Sequence, residues 1–129
     1  PRISPDDKWV AFTMDKTGGA YEVFVIPIDG GTPQQVSFDN GLEPVWTADG
    51  TELVYREAKK LVGRKLNNSN ILSFGEPYVI YEGNIMTIPG HSYDVSPDGQ
   101  RFLVVKEVHQ QGESRELKII THWSSKFLE

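Results

Sequence analysis

The chain has 129 residues, enough for one domain with a real core, and its 38% hydrophobic and 24% charged content excludes a disordered or fibrous chain. A net charge of -5 with no basic run or stripe excludes a nucleic-acid footprint, and no apolar run approaches the roughly 20 residues needed to span a bilayer. Cysteine is absent, which removes disulfides, thiolate metal sites and cysteine nucleophiles, and the first residue is Pro1 rather than Met, so the chain reads as processed, trimmed or excised.

The first unit spans residues 1–38. "ISPDDKWVAF" carries a tight turn at Ser4-Pro5-Asp6-Asp7, and Trp9 to Asp15 reads as a strand. Lys16 to Gly19 is a turn, and "YEVFVIPID" from Tyr21 to Asp29 is a second, strongly alternating strand. Pro27 falls within that run, so its missing amide must lie at a bulge or an unpaired site. Gly30 to Pro33 turns again, and Gln34 to Phe38 is a short edge strand.

The second unit spans residues 39–84. Glu43 to Trp46 is its innermost strand and Thr51 to Arg56 the next, with "WTADGTELVY" repeating the turn around Asp49. A hairpin connection at Glu57-Ala58-Lys59 leads to a strand from Lys60 to Leu66. A helix through "REAKKL" is disfavoured because Val62-Gly63 and the asparagines that follow break the helical period. "NNSN" opens a loop, and Pro77 to Tyr81 is the fourth strand.

The third unit spans residues 85–129. In "SYDVSPDGQRFLVV" Pro97 presets φ, Asp98 bonds its neighbouring backbone and Gly99 takes the left-handed conformation. The flanking strands are Ser92 to Val95 and Arg101 to Val108. "HQQGESR" from His109 is a polar loop, Glu116 to Trp123 a third strand, and "SSKFLE" a short helical turn; no fourth strand is convincing.

Asp6, Asp49 and Asp98 therefore mark one recurring position, at offsets of 43 and 49 residues. A period of roughly 40–45 residues with several strands per unit is the signature of propeller blades. The expected fold is all-β, with about three four-stranded antiparallel blades at 1–38, 39–84 and 85–129 in one domain. Natural propellers close with about four to eight blades, so three require company. The ring is completed by the remaining blades of a longer parent chain, or by a homodimer of six blades.

The N-terminal stretch resembles the WD40-like (TolB-type) β-propeller repeat of bacteria, on Ser4, Pro5, Asp6, Lys8, Phe12, Asp29, Gly30, Gly31 and Ser37; Asp7 departs from its usual glycine. "ELVYRE", "GEPYVIYEG", "YDVSPDGQRFLVVK" and "ELKIITHW" are similar to the C-terminal blades of such propellers. The resemblance implies a non-catalytic protein-interaction or sensor module, extracytoplasmic (periplasmic) and bacterial, with a protein or peptide as partner and no membrane insertion.

"GHSYD" lacks the second glycine of a nucleophile elbow, and a strand and hairpin follow Ser92 where the elbow needs a helix. His91, His109 and His122 show no H-x-x-x-H or H-E-x-x-H spacing, so neither a metal nor another cofactor is expected. The three aspartates are turn residues, and Trp9, Trp46 and Trp123 are core. The loops that lead into the innermost strands form one mouth of a channel. Arg2, Glu43 and His91 sit at those lead-ins and are the candidate binding residues. Two other readings stand beside the interaction module: a channel-site, metal-dependent lyase or hydrolase, and purely structural blades that complete another domain.

Overall fold

The computed structural model describes residues 1–68, 70–110 and 112–121, with side chains described to residue 106 and again for 117–120. The first sheet contains β1 (Arg2–Ile3), β2 (Trp9–Asp15), β3 (Tyr21–Pro27) and β4 (Gln34–Gln35), paired antiparallel in that order. Pro27 is the last residue of β3, opposite Trp9 in a non-hydrogen-bonded pair; the next bond to the neighbouring strand comes from Ile28 N to Lys8 O at 2.9 Å, so the missing amide breaks none.

The second sheet is β5 (Gly41–Trp46), β6 (Glu52–Glu57), β7 (Lys60–Asn68), β8 (Ile71–Phe74) and β9 (Tyr78–Glu82). β7 is longer than the sequence suggests. Its first half pairs with β9, from Lys60 opposite Glu82 to Gly63 opposite Tyr78, and its second half folds back through the asparagines onto β8. The helix that "REAKKL" could have formed is absent, and Ala58 takes φ 50° in the two-residue connection instead.

The third sheet is β10 (Tyr93–Val95), β11 (Arg101–Gln110) and β12 (Gly112–Thr121). The predicted polar loop from His109 to Arg115 is corrected here. Backbone pairing continues from Arg101 opposite Thr121 to Gln110 opposite Gly112, so this stretch is the far end of a long hairpin. Backbone pairing between antiparallel strands asks for no apolar side chains, so a polar stretch can extend a hairpin. His122, Trp123 and the "SSKFLE" tail lie outside the described residues. The fold is thus all-β and antiparallel, but only the first sheet has four strands; the second has five and the third three among the described residues.

The three recurring turns are built alike. The carboxylate Oδ1 of Asp6 accepts from Ser4 Oγ at 2.7 Å and Lys8 N at 3.2 Å; that of Asp49 accepts from Thr47 Oγ1 at 2.7 Å and Thr51 N at 3.0 Å. Asp98 repeats the pattern with Ser96 Oγ and Gln100 N. Asp7, Gly50 and Gly99 occupy the left-handed position at φ 59°, 71° and 68°. These carboxyls are held below the usual carboxylate range by those hydrogen bonds, led by Ser4 for Asp6, Thr51 for Asp49 and Ser96 for Asp98.

The second sheet is covered on both faces, which explains why β6 reads Leu53-Val54-Tyr55 without polar alternation. Trp46, Leu53, Tyr55, Val62 and Phe74 pack with Trp9, Ala11, Val23, Val25 and Val36 of the first sheet. Val45, Val54, Leu61 and Ile80 pack with Tyr93, Phe102, Val104 and Ile120 of the third. Each such large side chain contributes roughly 1.5–3 kcal/mol by removing apolar surface from water. Trp9 and Trp46 are both buried, as expected of core residues, and Trp46 Nε1 donates to Arg2 O at 3.1 Å.

Candidate functional site at the lead-in end

Where the chain enters the inner strands β1, β5 and β10, the three sheets surround a cavity of about 660 Å³. Arg2, Glu43 and His91 all line it, one from each sheet: Arg2 lies within β1, Glu43 within β5, and His91 just ahead of β10. Two local irregularities place them there.

The first is a bulge in β5. Leu42 pairs with Arg56 and Val45 with Val54, so Glu43 and Pro44 together oppose Tyr55. Glu43 takes φ 53°, a left-handed conformation that costs a residue with a Cβ about 1–2 kcal/mol. The bend turns its carboxylate inward. Oε2 accepts from Arg56 Nε at 2.8 Å, and Oε1 accepts from the Ser92 amide at 2.6 Å. Glu43 is therefore no solvated loop residue: its side chain is 13% exposed and that of Arg56 only 6%.

The second is an excursion in the lead-in to β10. Ile85 bridges to Lys106 and Met86 N donates to Val105 O; the chain then leaves the ladder and returns when Val105 N donates to Ser92 O. Thr87, Ile88, Gly90 and His91 are pushed out into the cavity between those two points. Arg56 Nη1 reaches Thr87 Oγ1 at 3.2 Å, tying the excursion to the second sheet. Arg2 Nη2 donates to His91 Nε2 at 2.8 Å, tying the first sheet to the third. A guanidinium has no acceptor, so this bond requires a neutral imidazole with its proton on Nδ1.

Tyr93 secures the floor. Its single hydroxyl proton is shared between Glu43 O at 2.5 Å and Val54 O at 3.0 Å, and burial, then the Glu43 charge, push its pKa well above the ordinary phenol value. Ser92 is fully buried and its Oγ has no hydrogen-bond partner among the described residues, so no base is poised to activate it. No group of three His, Cys, Asp or Glu residues converges to hold a metal ion among the described residues.

Arg56, Thr87 and Tyr93 were not picked out by sequence reasoning. Arg56 offered one signal, an arginine directly after the apolar run Leu53-Val54-Tyr55 in a strand buried on both faces.

The architecture has solved counterparts. TolB from Acinetobacter baumannii superposes with a TM-score of 0.62 at 21% identity, over 93% of this chain and 29% of that one. A provisionally named TolB from Agrobacterium tumefaciens gives 0.63 at 13% identity, over 94% of this chain and 44% of that one. The fold is that of a TolB-like β-propeller. The β-propeller domain of the Trilobed protease from Pyrococcus furiosus, described as having an open velcro topology, gives 0.58 at 19% identity over 91% of this chain and 36% of that one. The chain thus spans between 29% and 44% of the lengths of these solved proteins. No family model matches it, and no curated protein does.

Proposed function

We propose that the chain is a set of propeller blades, bounded near 1–38, 39–84 and 85–129, that acts as a non-catalytic interaction or sensor module. Its ligand is a protein or peptide held in the lead-in cavity. The observation that carries this reading is the meeting of Arg2, Glu43 and His91 in one cavity of about 660 Å³, a size suited to several peptide side chains. The walls mix apolar surface from Leu42, Pro44 and Ile88 with the guanidinium, imidazole and hydroxyl groups of Arg2, His91 and Thr87. Such a lining orients a peptide through a few polar contacts and gains affinity from its apolar side chains. The metal-dependent enzyme reading has no convergent ligand set behind it among the described residues.

The location proposed with this role is extracytoplasmic and bacterial. The ring is completed by further blades of the same polypeptide or by a second copy. The binding role is tested by panning a random heptapeptide library on the protein. Enriched peptides should lose about tenfold in affinity on Arg2→Ala or His91→Ala, while near-ultraviolet dichroism stays unchanged. Enrichment of no peptide, or binding indifferent to both substitutions, would overturn the reading.

A further inference from the structure

A second cavity, of about 210 Å³, lies at the opposite ends of β5 and β10, between the Asp49 turn of the second sheet and the Asp98 turn of the third. The residue three places after each repeat aspartate makes this cavity unusual. In the first sheet it is Trp9, a buried indole; in the third it is Arg101, exposed to solvent; in the second it is Glu52. Glu52 is only 6% exposed, yet it forms no ion pair among the described residues, and its Oε1 is sealed from solvent without a hydrogen-bond partner.

The surroundings make room for this carboxyl rather than neutralising it. Gly63 on β7 leaves space: a Cβ there would stand 2.8 Å from Glu52 Oε1 and 2.8 Å from Tyr78 Cζ. Lys65, directly across the ladder from Glu52, is exposed, and its ammonium lies beyond ion-pair distance. Burial raises the Glu52 pKa to about 7, with Lys65 pulling against that rise and Asp49 adding to it. An uncompensated buried carboxyl is costly, and an apolar residue like Trp9 would serve architecture better.

We propose that this inter-blade cavity recognises one organic cation of the guanidinium or primary-ammonium class, with the Glu52 carboxylate as its buried partner and Asp49 and Asp98 at the rim. The turn bonds use Oδ1 of both aspartates, and the two carboxylates face the cavity from opposite sheets. A metal ion fits poorly, because no three ligating side chains converge among the described residues. The volume equals about seven waters at roughly 30 Å³ each, room for a guanidinium and part of its alkyl stem. Bringing the cation to Glu52 converts a desolvated lone charge into a charge-assisted pair.

The test uses two probes: free agmatine, and the blocked tripeptide acetyl-Gly-Arg-Gly-amide. Each is titrated into the isotope-labelled protein while the amides of Thr47, Thr51, Glu52 and Gln100 are followed by NMR. Saturable shifts are expected, together with a fall in the Glu52 titration midpoint on saturation. Glu52→Gln should weaken binding about tenfold while preserving the dispersed spectrum, since it removes a buried charge rather than adding one. Asp98→Asn should weaken it less, and Lys65→Met, which deletes the internal competitor, should tighten it. Tighter binding of the tripeptide assigns the cation to a polypeptide side chain, and binding of agmatine alone assigns it to a small amine. Absence of saturable shifts with both probes in the wild type and in Lys65→Met overturns the proposal, as does undiminished binding by Glu52→Gln. This site is separate from the lead-in cavity, and either can fail without the other.

Discussion

At the scale of single residues, two buried charges behave oppositely. Glu43 is paired, and Glu52 is not. The Glu43–Arg56 contact at 2.8 Å is almost fully shielded from solvent, so removing one partner strands the other. Arg56→Ala is expected to cost about 3–5 kcal/mol in urea unfolding. The double variant Arg56→Met with Glu43→Gln should recover a large part of that loss, because it strands no charge. A double variant no better than Arg56→Ala would mean that a stranded Glu43 charge is not the cause of the loss. Glu52 gives a pH signature whose sign follows from its raised pKa. The folded state holds the proton up to about pH 7, whereas an unfolded glutamate releases it near 4.5. Between those values the folded state binds more protons, so stability falls as pH rises through the window, by about 3 kcal/mol in total. Lys65, Asp49, Asp98 and Tyr78 are the other titratable groups around it among the described residues. Denaturant midpoints measured from pH 4.5 to 8 should show the slope in the wild type, and Glu52→Gln should flatten it. A slope that survives the substitution would assign the effect to another group.

At the scale of elements, the joint between the first and second sheets rests on a close approach. Glu22, at the start of β3, is buried; burial alone would raise its pKa, but bonds from Ser37 Oγ and from the amides of Gly41 and Asn40 outweigh that and lower it. The Ser37 hydroxyl also accepts from Val23 N at 2.8 Å, so it cannot move aside. A Cβ at Gly41 would collide with the Ser37 side chain. Gly41→Ala should therefore cost about 1–3 kcal/mol and shift the amides of Val23 and Asn40. A neutral result would show that the lead-in can slide. The same elements show what a sequence can reveal. The Asp6, Asp49 and Asp98 turns were legible because their chemistry is local: a carboxylate bonding backbone two residues on, and a left-handed residue after it. β8 was not legible, because its four residues earn strand geometry only by pairing with the overhang of β7. The far end of the β11–β12 hairpin read as a loop because its residues are polar. Arg2, Glu43 and His91 could be placed at one end from strand direction, whereas the bulge, the excursion at 86–92 and Arg56 depend on contacts 13 to 89 residues apart in sequence.

At the scale of the whole molecule, and among the described residues, the middle sheet is covered twice and each outer sheet only once. On the third sheet, Leu103 pairs with Ile119 and Val105 with Leu117, on the face turned away from the second. Leu103, Leu117 and Ile119 are 41%, 65% and 64% exposed. On the first sheet, the face carrying Ile3, Val10, Phe12 and Met14 is likewise turned away from the second, with the Phe12 and Phe24 rings stacked at 6.0 Å between centroids. Sheets that bury one face against a neighbour and leave the other apolar are poorly covered by water and invite a partner surface. The expected consequence is association of the isolated 14.5 kDa chain, seen in gel filtration coupled to light scattering as a species heavier than the monomer. Leu117→Lys with Ile119→Lys places charges on that face without touching Phe102, Val104 or Ile120, which serve the core. The doubly substituted chain should shift toward the monomer. A definite dimer of the wild type favours a ring closed by two copies, and heterogeneous aggregates favour a ring closed by further blades of one polypeptide. A wild-type chain that stays monodisperse and monomeric at every concentration would show that the outer faces need no cover.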